Sequence, residues 1–573
     1  MILTKKIILL LLAILLMAVA AMQVSQRFRL EIAQNVNLSP EKSWVGQYLA
    51  GFHAAKNRDY EKASDYFSGT LSGNNANEYL QSKAMTLLLV SGKFSEAFQI
   101  ADMMQENDES TIAGLTLVTA AIEKGNFKQA DEILTKLKSK DQYTIIHKIL
   151  HAWVKLGMGN ELSAQAMMET LEKEQAIRPF VDYHYALIAE IAGNDKKAEQ
   201  LYNELIKGDK LPTSIAANAH RFFKARNDET KMKLIERKLE GFSRIENYHE
   251  IKNVKQGAAE AFLGIGGIIM TEYHSDRAAA FFRLAIYLHP GLDEAKMLLG
   301  SILINEGDYK SANNILRQIS TKSTLGDYAK LTIARNFEAM DENAKARQYF
   351  ENLISSEETK LEAMISLGDL ARKEESYSQA IDYYTQGLQE LDSRKSSENT
   401  SKYWPIYFAR GVSYERLQNW EAAEKDLKKA LSLQPNQPDI LNYLAYTWLD
   451  MGINLEDAKE MIIEAHQQRP DDSHITDSVG WAWYRLGEYA KAVEYLEEAA
   501  TQMPYDATVN DHLGDVYWKL GRKNEAKFQW QRALDSDPDA EQKQKLELKL
   551  EQGLLEVANQ NSTPAADNVT SEN

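Results

Sequence analysis

Residues 507–540 read ATVNDHLGDVYWKLGRKNEAKFQWQRALDSDPDA, and residues 473–506 read SHITDSVGWAWYRLGEYAKAVEYLEEAATQMPYD. Laid over one another, the two stretches share glycine at the eighth position (Gly514, Gly480) and alanine at the twentieth (Ala526, Ala492). A large residue follows at the twenty-fourth (Trp530, Leu496), alanine at the twenty-seventh (Ala533, Ala499) and proline near the end (Pro538, Pro504). The stretch from Trp404 repeats this with Gly411, Ala423, Leu427, Ala430 and Pro435, and the stretch from Ala259 with Gly266, Ala278, Phe282, Ala285 and Pro290. Pro435, Pro470, Pro504 and Pro538 are spaced by 35, 34 and 34 residues. A period of this length is one helix–turn–helix unit that buries its apolar face only by stacking on copies of itself. The small residues let the two helices approach, the large residue fills the space between them, and proline closes the second helix.

The frame runs through most of the chain. Further units start near residues 44, 78, 111, 145, 179, 293, 327, 361 and 438, with a degenerate one near Thr213. About 14 units account for residues 44–540, so the chain reads as one all-α solenoid whose repeats touch only their neighbours. The period breaks twice, dividing it into 44–245, 259–403 and 404–540; the polar insertion near 392–400 reads DSRKSSENT. Leucine-bearing residues 541–559 are expected to form a capping helix, and 560–573 a disordered tail.

Composition narrows the function. The 573 residues include 66 Lys and Arg against 83 Asp and Glu, for a net charge of −17. No bulk attraction to nucleic acid or anionic lipid follows from that balance, and a nucleic-acid partner is not expected. The chain has no cysteine, which excludes disulfides, thiolate metal sites, cysteine nucleophiles and a lipidated cysteine anchor. Lys5 and Lys6 precede an apolar run from Ile7 to Met22, so residues 1–22 are read as an export signal. Cleavage after Ala18-Val19-Ala20 and retention as a membrane anchor are the two alternatives. Either predicts an exported protein, periplasmic in a bacterium, that meets the membrane only through this segment.

No enzyme signature stands out. Gly264-Ile265-Gly266-Gly267 lies inside a helix rather than after a strand, which argues against a phosphate loop. Asp511 and Asp515 are one helical turn apart, a spacing that could hold a metal but equally suits a polar wall. His474, Asp477 and Ser478 form no evident nucleophile set. The expectation is no catalysis, no cofactor and no metal.

The repeat positions quoted above resemble the tetratricopeptide repeat (TPR) superfamily. That resemblance implies a right-handed superhelix of about 13–14 repeats, with the first helix of each repeat lining a concave protein-binding groove. The runs 477–487 and 510–522 are also similar to the last repeats of exported proteobacterial TPR proteins, including an outer-membrane adaptor of a carboxyl-terminal processing protease. In such a groove the inward positions hold Asn442 and Tyr446; His474, Asp477, Trp481, Tyr484 and Arg485; and Asp511, Asp515, Trp518 and Lys519, with His512 beside them. Trp481, Tyr484, Trp518 and Tyr446 exceed what repeat packing needs, and aromatics interleaved with Arg and Asp are the stuff of binding hot spots. The competing expectation is that these rings pack between repeats or under the capping helix. The functional expectation is a cell-envelope scaffold that captures protein or peptide segments here and holds a second partner along its remaining repeats. An envelope enzyme acting on glycan or using a metal, and a purely structural spacer, are the alternatives.

Overall fold

The computed structural model describes residues 44–554 apart from 57–58, 71–77, 105–110, 138–142, 172–176, 209–210, 240–249, 271–274 and 394–399. The expected export segment 1–22, the tail 560–573 and most of the polar insertion lie outside the described residues. Those residues form 29 α-helices and no strand. Fourteen antiparallel helix pairs follow one another, and the last helix, Ala540–Gln552, stands alone in the capping position. The degenerate stretch at Thr213 is a regular pair, Thr213–Lys224 with Glu229–Lys238.

The pairs close as the repeat positions require. A Cβ added at Gly480 would lie 2.5 Å from Leu496, and one at Gly514 2.4 Å from Trp530, so the eighth residue must stay small where the twenty-fourth is large. First helices end at a left-handed residue, Gly487 at φ 81° and Gly521 at φ 79° in the last two pairs, a conformation glycine adopts without steric cost. Asn126, Asn194, Asp308 and Asn419 cap second helices by accepting a backbone N–H three residues on.

The chain divides into two compact units, 1–353 and 354–573, at neither of the breaks in the period. In the first unit the expectation that repeats touch only their neighbours fails. The pair Val254–Met270 and Ser275–Leu288 folds back onto the first helices of earlier repeats, Glu78–Ser91, Thr111–Glu123, Tyr143–Gly157 and Arg178–Ile191. Arg283 Nε donates to the Val90 carbonyl at 2.8 Å, Lys83 pairs with Asp276 at 3.0 Å, and the Tyr287 ring centroid lies 4.5 Å from that of Phe94. Glycines permit this approach. A Cβ at Gly257 would sit 2.3 Å from the Trp153 ring, and one at Gly264 2.2 Å from Phe180. The face expected to hold a second partner over these repeats is therefore filled by the chain itself. Within the glycine-rich run 264–267, Gly264 serves this packing by admitting Phe180, while Gly266 makes the eighth-position contact with Phe282 inside its own pair.

The fold-back buries a carboxyl group. Glu260 is 2% exposed. Its Oε1 accepts from Tyr183 Oη at 2.9 Å, Asn218 Nδ2 donates to the same phenol at 3.0 Å, and Oε2 has no hydrogen-bond partner. Burial, reinforced by the charge of Glu294, pushes Glu260 from 4.5 to about 8. Folding thus takes up a proton between those values. The Glu260 contribution to the first unit is complete below the unfolded value, falls by up to about 1.4 kcal/mol for each pH unit climbed through the window, and is constant above it, while buried His184, pushed down to about 3, adds a slope of opposite sign below its own unfolded value. Glu260→Gln keeps the phenol's acceptor and removes the charge. Urea melts at pH 5 and pH 8 should show a smaller loss for the variant than for the parent; equal losses would contradict the assignment.

Candidate functional site

The residues singled out in the sequence lie on three consecutive first helices of the second unit: Pro438–Met451, Ser473–Arg485 and Ala507–Lys519. Asp472 and Asp506 cap the latter two, the first accepting the backbone N–H groups of His474 and Ile475 and the second that of Val509. Positions one turn apart then fall on one face.

At the centre is a buried carboxylate–imidazole pair. Asp477 and His512 are each 6% exposed, and His512 Nδ1 donates to Asp477 Oδ2 at 3.0 Å. Burial alone would lower the imidazole's pKa. The Asp477 charge and hydrogen bond, with Asp511 and Asp515 beyond, outweigh it and raise the value. The Trp481 ring lies on this imidazole, with centroids 4.0 Å apart and planes 14° apart. Its other side stacks on Tyr484 at 4.7 Å and 13°. Tyr446 approaches His512 from helix Pro438–Met451 at 6.3 Å, and burial raises its phenol's pKa. The stack is pinned at its edge, where Trp481 Nε1 donates to Asp450 Oδ1 at 3.2 Å and Arg485 Nη1 to the Asp450 carbonyl at 3.3 Å. Trp481, Tyr484, Tyr446 and Arg485 remain partly exposed, and His474 is exposed. Asn442 is half-buried, with its Oδ1 shielded and unpartnered.

The other residues are placed differently. Lys549, on the terminal helix, reaches Asp511 at 2.6 Å and Asp515 at 2.8 Å. Asp515 also accepts from Trp530 Nε1 at 2.9 Å, and burial pushes it up to about 6 against the pull of Lys549. A Cβ at Gly553 would lie 2.1 Å from the Trp518 ring, so the end of the terminal helix rests on that indole. Asp511, Asp515 and Trp518 are thus covered rather than presented, the packing alternative weighed from the sequence. Lys519 is exposed beside them.

Several groups that a hydrolytic reading would use are engaged elsewhere, while the His474 side chain is exposed. Ser478 Oγ donates to the His474 carbonyl at 3.0 Å, Asp477 faces His512, and an ammonium occupies the space between Asp511 and Asp515. Among the described residues, no group of three or more His, Asp or Glu side chains is arranged to hold a metal ion. Two contributors were missed from the sequence. Asp450 occupies the same repeat position as Arg485 and Lys519, so the register could have found it. Lys549 belongs to a helix outside the repeat register, and no sequence signal points to it.

Residues 331–394 and 404–437 each match a family described as Tetratricopeptide repeat, and residues 483–553 match one described as Tetratricopeptide repeat-like domain. The TPR repeat-containing protein PA4667 of Pseudomonas aeruginosa is 36% identical over 91 residues, 16% of this chain and 15% of that protein. Bacteriophage adsorption protein A of Escherichia coli is 32% identical over 89 residues, 16% of this chain and 9% of that one. The matched stretches thus span less than a fifth of either relative. Among solved structures, the APC/C hetero-tetramer Cut9–Hcn1 is 15% identical, covering 89% of this chain and 96% of that one at a TM-score of 0.36. A tetratricopeptide repeat protein from Parabacteroides merdae is 17% identical, covering 44% and 96% at a TM-score of 0.35. Residues 331–394, 404–437 and 483–553 are thus tetratricopeptide repeats, and the same 34-residue period and paired all-α architecture run through the rest of the described residues.

Proposed function

We propose that this chain is an exported, non-catalytic adaptor of the cell envelope, and that it captures protein segments on the face formed by residues 438–485. Tetratricopeptide repeats generally mediate contacts between proteins, and this face is where the chemistry of such a contact is concentrated. The observation that carries the reading is the Trp481–Tyr484 stack, partly exposed and flanked by Arg485 and Asp450. Rings held in place by His512 beneath and Asp450 at the edge lose little freedom on binding, which favours affinity. The export reading rests on Lys5, Lys6 and the apolar run that follows them. A protease or an envelope-assembly factor is the kind of second component such an adaptor would serve.

The test is comparative capture from envelope extract. Trp481→Ala with Arg485→Ala, shown by its melting curve to be folded, should lose at least tenfold of the partners the parent retains. Retention of every partner would rule out this face.

A further inference from the structure

We infer that the side of helix Ala507–Lys519 bearing Asp511 and Asp515 receives a basic, leucine-bearing helical segment of a protein partner, and that the chain's own terminal helix occupies the seat as a displaceable stand-in. The inference rests on the reading of these first helices as a protein-binding face and names the partner chemistry at its far end.

Three observations support it. First, the seat is selective for a cation. Two carboxylates one turn apart converge on the single ammonium of Lys549, at 2.6 and 2.8 Å. Asp515 is 5% exposed. An occupant lacking a cation would leave two shielded carboxylates facing each other, so whatever replaces the terminal helix must bring its own positive charge. Second, the seat is apolar beside that charge. Leu546 is fully buried against the core of the last repeat, with Leu550 packed partly against it. The pattern read is an apolar residue, a cation three positions later and an apolar residue next to that, one face of a helix. Third, the present occupant is lightly held. Leu546 is the one buried residue of the thirteen in Ala540–Gln552, whereas the neighbouring helix Ala507–Lys519 buries eight of its thirteen. A helix with so little buried surface is drawn from the easily opened end of the structure.

The test adds a fluorescein-labelled synthetic peptide with the sequence of residues 540–554 to the full chain and reads anisotropy. In the parent chain the seat is taken and binding should be weak. In the full chain carrying Leu546→Ala and Lys549→Met, the same peptide should bind at least tenfold more tightly. Adding Asp511→Asn and Asp515→Asn to that chain, or replacing the peptide's own equivalent of Lys549 by methionine, should abolish the gain. If circular dichroism shows the doubly substituted chain unfolded, Lys549→Met alone is used and read the same way. Equal binding to parent and loosened chains, or binding that survives loss of both carboxylates, would overturn the inference and leave the terminal helix a structural cap. The assay touches neither Trp481 nor Arg485. Its failure beside a lost partner in Trp481→Ala, Arg485→Ala would sink this inference alone, while retained partners in that variant would sink the proposed function.

Discussion

Gly257→Ala is expected to destabilise the first unit by about 1–3 kcal/mol, although alanine favours an exposed helix by about 1 kcal/mol over glycine. The new methyl would lie within 2.5 Å of three atoms of the Trp153 ring. That ring is fully buried and cannot turn aside: its Nε1 donates to His184 Nδ1 at 3.2 Å. The helix carrying Gly257 must therefore shift, and with it the pair that fills the face of the preceding repeats. Hydrogen exchange should quicken across 254–288 and across the first helices beneath it. Gly264→Ala is the control. Its methyl meets the outer end of Phe180, a ring that is half-buried where Trp153 is fully buried, so the loss should be smaller than for Gly257→Ala. Similar behaviour of the two variants would mean that the fold-back is not held by close packing at Gly257.

The second large effect lies in the other unit. His512→Ala should cost about 3–5 kcal/mol, because it strands the Asp477 carboxylate in a buried site. It also removes the surface on which Trp481 lies, so its indole fluorescence should move toward that of a hydrated ring. Replacing both partners, Asp477→Leu with His512→Phe, should recover most of the loss, since a buried ion pair exchanged whole for apolar residues is often neutral. The raised pKa of His512 sets the direction with pH. The pair's contribution is complete below the unfolded imidazole value and is lost as pH rises through the folded one. The parent's advantage over the double variant should therefore shrink on the alkaline side. A double variant as unstable as His512→Ala would show that packing at this position, and not the charge pair, dominates.

Much of this architecture was written in the sequence because it depends on local, repeated contacts. Gly480 with Leu496 and Gly514 with Trp530 meet within one helix pair, so a single period exposes them. The degenerate pair at Thr213 still forms because its apolar face remains: Ile215, Phe222 and Phe223 are buried although the consensus glycine and proline are missing. The fold-back of 254–288 was not legible in the same way. It joins Lys83 to Asp276 and Val90 to Arg283 across more than 190 positions, and nothing in a 34-residue frame encodes such partners. Its trace was glycine at Gly257 and Gly264, outside the repeat's small positions, which marks close approach without naming the approaching surface. The candidate site was legible as a set of positions and not as an arrangement. The register put Trp481, Tyr484 and Arg485 on one face, and they are there. It could not tell that His512 would turn inward to Asp477, or that Lys549 would cover Asp511 and Asp515.

Crosslinking with mass spectrometry on intact cells tests the central claim most directly. Partner crosslinks should map to lysines and acidic residues bordering 438–519, while 254–288 should link within the same chain, to 78–191 and to the adjoining repeats, and not to partners. Partner crosslinks concentrated on the first helices of 78–191, with none near 438–519, would contradict both the filled face of the first unit and the binding role of the second.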